Sequence, residues 1–200
     1  MNRNARENVD YNKIADSFSN SRKNLKWEEI DYFISSYLKN IKWKNFLDIW
    51  CGNGRLLEQF SNSFNVDDIN YTWIDLSEDM LNHASLSFPK KEFLNINMLD
   101  LEEFSWKKFD YIFFIASFHH LENFDFRLDV LEKAKALLKD GWFLFMTNWS
   151  LDSQINREKY NSSIIHDSYN DFWSLDYKIY FWDYARYYHW FSLKELEYLF

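Results

Sequence analysis

Residues 48–54 have the spacing best suited to chemistry in this chain, in the run Asp48-Ile49-Trp50-Cys51-Gly52-Asn53-Gly54. An apolar segment, residues 46–49, leads into this glycine-spaced loop, and the apolar pair Leu56 and Leu57 follows it. Glycine permits the sharp bend and the close backbone approach that a nucleotide-type ligand requires between a strand and a helix. We therefore predict that backbone N–H groups of the loop and the start of the next helix face an anionic group of a cofactor.

Two aspartates stand where apolar strands are predicted to end. Asp48 closes the first apolar segment, and we expect it to order the loop or to reach a ligand amino group through water. Asp75 ends the next apolar segment, about twenty residues beyond Gly54, and Leu76 follows it. A carboxylate at this spacing accepts hydrogen bonds from ribose hydroxyls in doubly wound nucleotide sites, so Asp75 and its neighbour Leu76 are predicted to contact the cofactor. The alternative for Asp75 is a helix-capping or solvated carboxylate.

The apolar periodicity places these residues on alternating strands and helices. Helices are predicted over residues 10–20, 26–39, 77–87, 125–138 and 192–200 and from residue 55, and strands over residues 46–49, 69–74, 93–96, 109–116 and 143–147. This alternation implies an α/β, Rossmann-like doubly wound fold with a mainly parallel sheet. We expect one domain over residues 1–200, with N-terminal helices in 10–40, a cofactor-binding core in 45–148 and a substrate-side insertion in 150–190.

The glycine loop resembles the Asp-x-Gly-x-Gly-x-Gly loop of class I S-adenosylmethionine (AdoMet) methyltransferases. Gly52 and Gly54 occupy the second and third glycine positions, and Trp50 occupies the first. The resemblance implies AdoMet as the cofactor and a loop contact to its methionine carboxylate from the segment Trp50, Cys51, Gly52, Asn53 and Gly54.

The same resemblance implies where the rest of AdoMet lies. Asn97 and Met98 follow the third predicted strand, where the family commonly has an acidic residue lining the adenine pocket. Asn97 keeps the hydrogen-bonding capacity of that residue without its charge, whereas Met98 is equally well explained as core. Ala116 ends the fourth predicted strand and is expected beside the methyl donor. NAD-binding folds also use glycine loops, and the ordered motifs from residue 46 to residue 147 favour AdoMet.

Tryptophan stands at three positions where the family has glycine, namely Trp50, Trp73 and Trp142. The chain has 3 Gly and 10 Trp, whereas glycine makes up about 7% of average proteins. We interpret these tryptophans as UGA codons that the source organism reads as glycine. Further candidates are Trp43, Trp106, Trp173, Trp182 and Trp190. The alternative is a natural aromatic-rich variant, in which the indole of Trp50 occupies space that AdoMet needs.

The C-terminal end departs from the family pattern. Class I methyltransferases generally finish with a helix and an antiparallel hairpin, and this sequence stops within the predicted helix 192–200. We therefore expect the final hairpin to be absent and the chain to be truncated, with a naturally shorter sheet edge as the alternative.

The outer motifs are similar to those of methyltransferases acting on carboxymethyl groups of wobble uridine in tRNA. They are Tyr11-x-x-Ile14-Ala15 with Arg22, Ser117-Phe118-His119-His120, and Ala185-Arg186-Tyr187-Tyr188-His189. That group esterifies a carboxylate of the modified base, so tRNA is the implied partner. The implied groups that hold the carboxylate or a flanking phosphate are Arg22, His120, Arg186 and His189. A carboxylate is already nucleophilic, so orientation and electrostatics suffice for catalysis.

Plainer explanations exist for several of these residues. A His-His pair after the fourth strand also occurs in small-molecule methyltransferases, where it need not contact the substrate. Tyr187 and Tyr188 are implied to stack on an unpaired base, but they are equally explained as packing of the insertion. Arg22 is alternatively paired with a local carboxylate.

Composition limits the binding partners and the cellular compartments that the sequence allows. A net charge of −8 argues against broad non-specific binding to nucleic acid, DNA included, although a local basic patch stays compatible with it. The single cysteine, Cys51, rules out an intrachain disulfide and favours a reducing compartment. The sequence has no signal segment, no long apolar run and no Cys/His cluster of metal-binding type. We therefore expect a cytoplasmic protein without a membrane or metal site.

Three functions remain open from the sequence. The first is a tRNA wobble-uridine carboxyl methyltransferase, with a small activating protein partner like that of related eukaryotic enzymes. The second is a class I methyltransferase for a small metabolite, which suits the acidic charge. The third is a non-catalytic binding module or inactive remnant, which follows if Trp50 is genuine.

Overall fold

A five-stranded sheet forms the centre of the protein in a computed structural model, which describes residues 15–16, 18–20, 26–165, 171–181 and 184–200. Its strands are β1 (Asn45–Ile49), β2 (Asn70–Asp75), β3 (Phe93–Asn95), β4 (Phe109–Ile115) and β5 (Leu138–Thr147). They lie in the order β3-β2-β1-β4-β5, and every pairing is parallel. Every residue of β4 is buried, as expected for a central strand covered on both faces.

Helices cover both faces of this sheet. They are α1 (Glu28–Tyr37), α2 (Arg55–Ser61), α3 (Glu78–Ser87) and α4 (Phe124–Leu137), and residues 15–16 and 18–20 are also helical. Side chains alternate along a strand, so Phe46 packs with α1 and α2 on one face, whereas Leu47 packs with α4 on the other. The predicted α/β, Rossmann-like doubly wound fold is therefore confirmed.

Local sequence explains the element boundaries that matter for the site. The Ser77 hydroxyl accepts a hydrogen bond from the Met80 N–H and caps α3 where the sequence predicts a cap. Strand β5 begins at Leu138 rather than at residue 143, because Gly141, with a φ of 77°, lies in a bulge of the strand. Helix α4 consequently ends at Leu137, one residue before the predicted end.

The predicted insertion, residues 150–190, contains regular structure of its own. Helix α5 (Gln154–Tyr160) precedes strands β6 (Leu175–Phe181) and β7 (Tyr184–Trp190), and helix α6 (Leu193–Leu199) follows them. The two strands pair antiparallel as a separate sheet. This hairpin was not predicted from the sequence, although Leu175, Tyr177 and Ile179 alternate with more polar residues in the manner of a strand.

The hairpin does not extend the main sheet. Within the described ranges no strand pairs with the outer edge of β5. Buried Tyr177, Ile179 and Tyr188 pack instead with Leu151 and Tyr160 in a small core of their own. The region after β5 is therefore a second layer beside the sheet, close to the carboxyl ends of its strands.

Candidate active site

A cavity opens at the carboxyl ends of β1, β2 and β4. The ends of parallel strands meet at one edge of a sheet, where the following loops form ligand sites. The cofactor end of the cavity is lined by Asp48, Trp50–Asn53, Arg55, Leu56, Asp75–Ser77 and Met80. The rest is lined by Ile115–Ser117, His119 and His120 after β4, and by Phe18, Trp27, Trp149, Arg186 and Tyr188. The predicted cofactor loop and part of the predicted substrate motif therefore share one cavity.

Left-handed backbone conformations give the β1 loop its tight path. Trp50, Gly52 and Gly54 have φ values of 59°, 57° and 82°, a region that glycine adopts without strain and other residues do not. A Cβ atom on Gly54 would lie 3.3 Å from the Cβ of Ala84 in α3. Gly54 thus lets the loop pack closely against α3. The loop residues that line the cavity are Trp50, Cys51, Gly52 and Asn53.

Asp75 links this loop to β2. Its two carboxylate oxygens accept hydrogen bonds of 2.8 Å from the N–H groups of Gly52 and Ser77. Burial raises the pKa of Asp75 to about 6, although both bonds favour the ionised form. Asp75 thus binds the N–H of Ser77, which is itself the cap of α3, and Asp75 does not cap that helix. Asp75 and Leu76 also line the cavity, and each carboxylate oxygen has a further lone pair for a ribose hydroxyl.

Asp48 is a buried carboxyl group at the end of β1. It is 1% exposed, and the Tyr71 hydroxyl lies 3.3 Å from its Oδ2. Burial raises the pKa of Asp48 to about 8, against the effect of the Tyr71 hydrogen bond and with a contribution from the charge of Asp75. Asp48 is consequently mostly protonated at neutral pH and meets the loop as a neutral group.

The indole of Trp50 is the feature of the loop that opposes cofactor binding. It lines the cavity with its ring centre 5.9 Å from that of His120. Its buried Nε1–H has no hydrogen-bond partner among the described residues, and such a group typically costs about 1–3 kcal/mol. Strained backbone, an unsatisfied donor and occupied space therefore coincide at the position where the family has glycine.

The residues expected at the adenine ring do not line the cavity. Met98 is fully buried and begins a 3-10 helix, Met98–Phe104, that packs against α4. The Asn97 side chain accepts a hydrogen bond from the Leu99 N–H and caps that helix. The structure gives no support to the adenine contact expected of Asn97 and Met98, since this end of the cavity is lined by Leu76, Ser77 and Met80.

Ala116 lies in the cavity wall where β4 ends, at the predicted place. Its φ of 52° is a left-handed conformation that is strained for a residue with a Cβ atom. Thr147 at the end of β5 holds it there, because the Ala116 N–H donates to the Thr147 carbonyl at 3.1 Å and to its hydroxyl at 2.9 Å. The bent chain then brings Ser117 into the cavity wall.

A short 3-10 helix, Phe118–His120, follows β4 and is called the histidine turn below. The Nδ1 atom of His119 accepts a hydrogen bond of 3.3 Å from the Trp149 N–H. The Nδ1 atom of His120 lies 2.9 Å from the Tyr187 carbonyl, which can only accept, so this nitrogen donates. Burial lowers the pKa of His120 to about 4 and that of His119 well below its ordinary value. His120 therefore contributes a neutral ring, not the positive charge expected of an anion-holding residue.

Arg186 brings a buried positive charge to the hairpin side of the cavity. It is 6% exposed, and its guanidinium carbon lies 5.4 Å from the ring centre of Phe18. Arginine stays charged at physiological pH, so a carboxylate in this part of the cavity would meet a cation. Trp149 and Tyr188 line the same part, with ring centres 5.0 Å apart.

One predicted catalytic residue, His189, does not lie in the described cavity wall. It is buried on the other face of β7, with its ring nitrogens 2.6 Å from Asp176 and 2.7 Å from Glu195. This position gives no support to the direct contact with substrate that the motif implied. Arg22 lies outside the described residues, and so does Trp182.

Several residues to which no site role was assigned also line the cavity, among them Met80, Trp149 and Phe18. Met80 lies one helical turn beyond the Ser77 cap, so the cap itself was the available signal. Trp149 follows the carboxyl end of β5, where ligands are expected in such sheets. Phe18 lies in the N-terminal motif that begins at Tyr11, so the family resemblance was the available signal.

Other site types find no support in the described part of the chain. No group of three or more histidine, cysteine, aspartate or glutamate residues there is arranged to hold a metal ion. None of the helices in those ranges is long and apolar enough to cross a membrane. The Cys51 thiol lines the cavity, and burial raises its pKa well above the ordinary value, so it is not an activated thiolate.

The match to a family model covers the part of the chain that supplies most of the cavity wall. Residues 47–144 match the family model of a methyltransferase domain, Methyltransf_12. Malonyl-(acyl-carrier protein) O-methyltransferase 2 of Ilyobacter polytropus is 30% identical over 124 residues, which are 62% of this chain and 46% of that protein. The chain thus spans about half the length of this curated relative.

Solved structures resemble the chain over a larger share of its length. An AdoMet-dependent methyltransferase from Clostridium acetobutylicum has a TM-score of 0.64 at 19% identity, covering 94% of this chain and 85% of that one. The methyltransferase of Haloferax volcanii in a complex with the Trm112 methyltransferase activator has a TM-score of 0.56 at 15% identity, covering 78% and 76%. The fold is therefore that of a class I AdoMet-dependent methyltransferase, and residues 47–144 match its methyltransferase domain.

Proposed function

We propose that this chain binds AdoMet in the cavity and methylates a carboxylate oxygen of its substrate. The observation that carries the proposal is Arg186, a buried cation in the same cavity as the glycine loop. A buried cation attracts a carboxylate much more strongly than an exposed one, because water screens the charge less. Trp149 and Tyr188 beside it add apolar surface that keeps water from the bound group.

The residues at the cofactor end fit AdoMet with one exception. Gly52 offers a backbone without a side chain, Asp75 an acceptor for ribose hydroxyls, and Met80 an apolar surface for the adenine ring. When bound, AdoMet supplies an electrophilic methyl group on a sulfonium. Trp50 is the exception, because its indole takes up room beside the loop.

A substrate carboxylate needs little further help from the protein. In the transfer a carbon–oxygen bond forms as a carbon–sulfur bond breaks, and no proton has to move. Alignment and charge then govern the rate. Arg186 orients the carboxylate, while Ser117 and the neutral rings of His119 and His120 bound the space in which its oxygen lies.

We propose that a carboxymethyl wobble uridine in tRNA bears this carboxylate. The support is the resemblance of residues 185–191 to the corresponding motif, two residues of which, Arg186 and Tyr188, line the cavity. A small malonyl-type acid is the second candidate. The name of the curated relative favours it, since a malonyl group ends in a carboxylate, and so does the net charge of −8.

A small activating protein partner belongs to the tRNA proposal. The Haloferax volcanii complex supports it, because a methyltransferase of the same fold binds the Trm112 activator there. Adding such an activator should raise the rate with tRNA and leave the rate with a small acid unchanged.

We further propose that the natural protein has glycine where this chain has several tryptophans. Five described residues other than glycine have φ values of 52° to 64°, and Trp43, Trp50 and Trp173 are three of them. Glycine adopts this conformation freely, whereas a tryptophan is strained in it. A natural tryptophan at position 50 would instead favour an inactive remnant.

The other candidate positions have weaker structural support. Trp73 is fully buried, with its ring centre 4.3 Å from that of Phe93. The Trp142 ring centre lies 4.1 Å from the Lys44 ammonium. The Trp73 Nε1–H, like that of Trp50, is buried without a hydrogen-bond partner among the described residues. Neither Trp73 nor Trp142 has a positive φ, so glycine at these two positions rests mainly on the sequence pattern. UGG codons at positions 43, 50 and 173 of the gene would refute the proposal.

Binding and transfer assays test the function in sequence. Calorimetry should show that Trp50→Gly binds AdoMet at least tenfold more tightly than the chain with Trp50. The Trp50→Gly protein is then given labelled AdoMet with undermodified tRNA or with a malonyl thioester of acyl-carrier protein. Mild base should release the labelled methyl group from the product as methanol, because it hydrolyses methyl esters. Absence of binding by both forms, or a base-stable product, would contradict the proposal.

A further inference from the structure

Strand β7 presents two faces with different surroundings. Arg186 and Tyr188 line the cavity, whereas Tyr187 and His189 lie on the other side, since successive strand residues alternate. The Tyr187 carbonyl also orients the histidine turn, through the hydrogen bond that it accepts from His120 Nδ1. The position of β7 therefore determines several contacts of the cavity wall at once.

His189 is held between two carboxylates on the outer face. Its Nδ1 lies 2.6 Å from Asp176 Oδ1 and its Nε2 lies 2.7 Å from Glu195 Oε2, and the ring is fully buried. An ionised carboxylate only accepts, so both ring nitrogens donate, which is the arrangement of an imidazolium. Burial is the largest influence and raises the pKa of Glu195, but the hydrogen bond and charge of His189, the Ser174 hydrogen bond and the charge of Arg127 together outweigh it, so the pKa of Glu195 is lowered.

A second cation completes the charge balance. Arg127 Nε lies 3.3 Å from Glu195 Oε1, and both side chains are buried. Two cations therefore face two carboxylates in what we call the ion network, Asp176, His189, Glu195 and Arg127. Removing one charge would leave a buried ion without its partner, which is strongly unfavourable.

The ion network joins the hairpin to the main domain beside the cavity. Asp176 and His189 belong to β6 and β7, Glu195 to α6 and Arg127 to α4. An Nη1 atom of Arg127 donates at 2.8 Å to the carbonyl of Leu121, which directly follows the histidine turn. The network thus connects the strand that carries the buried cation to the turn that carries the two histidines.

We propose that His189 is a positioning residue, which fixes β7 against the histidine turn through the ion network. It acts on the substrate through Arg186, Tyr188 and the Tyr187 carbonyl, and does not touch the substrate itself. Only the kinetic part of this inference rests on the proposed function.

Nuclear magnetic resonance of the whole chain with isotope-labelled histidines tests the inference without turnover. We expect protons on both ring nitrogens of His189 and on Nδ1 alone of His120. His189→Gln should remove the first signals and shift the His120 signal, whereas His83→Gln, a partly exposed histidine on α3, should not. A His189 ring with one proton, or a His120 signal unmoved by His189→Gln, would overturn the proposal.

Kinetics separate positioning from a general loss of structure. In the Trp50→Gly protein, His189→Gln should lower kcat/KM for the acceptor at least tenfold and leave the Kd of AdoMet within twofold. Adding Glu195→Gln leaves one anion, Asp176, and one cation, Arg127, and should recover at least threefold of that loss. No recovery would overturn the charge-balance argument. A parent protein without any transfer would count against the proposed function, while the resonance signals still decide the role of His189.

Discussion

The two ends of the cavity are positioned by different kinds of interaction. At the cofactor end, main-chain groups position the side chain that faces the ligand, as when the Gly52 and Ser77 N–H groups bind Asp75. At the hairpin end, side chains distant in the sequence do so, as when Arg127 meets Glu195. The first arrangement follows from a parallel sheet, whereas the second depends on a set of buried charges.

This difference determines how each end responds to substitution. Backbone hydrogen bonds survive most side-chain changes, so damage at the cofactor end should stay local. A buried ion network loses its balance when one member changes, so the hairpin end should respond as a unit. Substitutions at each end of the cavity test this contrast when AdoMet binding and acceptor turnover are measured separately.

The largest effect is expected from Arg186→Ala in the Trp50→Gly protein. Loss of a buried cation that pairs with the substrate carboxylate should lower kcat/KM for the acceptor about 1000-fold, or about 4 kcal/mol. AdoMet affinity should stay within twofold, because other strands build the cofactor end. Arg157→Ala, an exposed arginine on α5, is the matched control. Equal losses in the two variants would show that net charge matters and the position of Arg186 does not.

The converse substitution is Asp75→Ala in the same protein. Loss of the ribose acceptor and of the Gly52 and Ser77 bonds should weaken AdoMet binding about 100-fold, since charge-assisted hydrogen bonds contribute about 1.5–3 kcal/mol. Calorimetry measures the change, with the exposed Asp67→Ala as the control. An effect below threefold would mean that Asp75 only caps the loop.

Stability should also depend on pH through the cofactor end. Asp48 has a pKa of about 8 in the folded chain against an ordinary 3.8, so between these values the folded state holds a proton that the unfolded chain has lost. The free energy of unfolding should therefore fall as pH rises, by about 1.4 kcal/mol per pH unit between about pH 4 and pH 8. Asp75, with a pKa of about 6, adds to the fall between about pH 4 and pH 6.

Urea unfolding across this range measures the slope. Asp48→Asn should remove the part of the pH-dependent fall in the free energy of unfolding that Asp48 causes. The variant should therefore be more stable than the parent protein near pH 8. Glu132→Gln, an exposed change on α4, should leave the slope as it is. A parent protein whose stability rises between pH 5 and pH 8 would contradict the raised pKa of Asp48.

The smallest effect concerns a tryptophan outside both ends of the cavity. Trp43 is 64% exposed with a φ of 62°, so Trp43→Gly should relieve backbone strain and raise stability by about 1 kcal/mol. Trp106 is 77% exposed without a positive φ, and Trp106→Gly should lower stability slightly. Thermal or urea unfolding of both variants makes the comparison. If both variants change the stability in the same direction, exposure and not backbone conformation determines the effect.

The cofactor end could be predicted from the sequence because its signals are local. A strand, a glycine turn and a helix start follow one another at Asp48 and Gly52, and the next strand ends at Asp75. Parallel pairing then brings these strand ends together without further information. The adenine expectation for Asn97 and Met98 gained no support, because a 3-10 helix follows β3 and uses Asn97 as its cap and Met98 as a core residue.

The hairpin end could not be predicted to the same depth. The motif at residues 185–191 identified Arg186 and His189 together, but it did not show that they lie on opposite faces of one strand. Recognition of β7 would have separated them by strand alternation. The partners of His189 come from β6 and α6, and no local spacing indicates that Asp176 and Glu195 meet around one ring.

The close approach of Gly54 to Ala84 has a consequence for how such proteins diverge. With a hypothetical Cβ on Gly54 only 3.3 Å from the Ala84 Cβ, neither residue has room to become larger while the other stays in place. Descendants of this gene should therefore keep both positions small together, or change them as a pair with a shift of α3. Ala84, a helix residue outside the described cavity wall, would in this way be inherited together with the glycine loop.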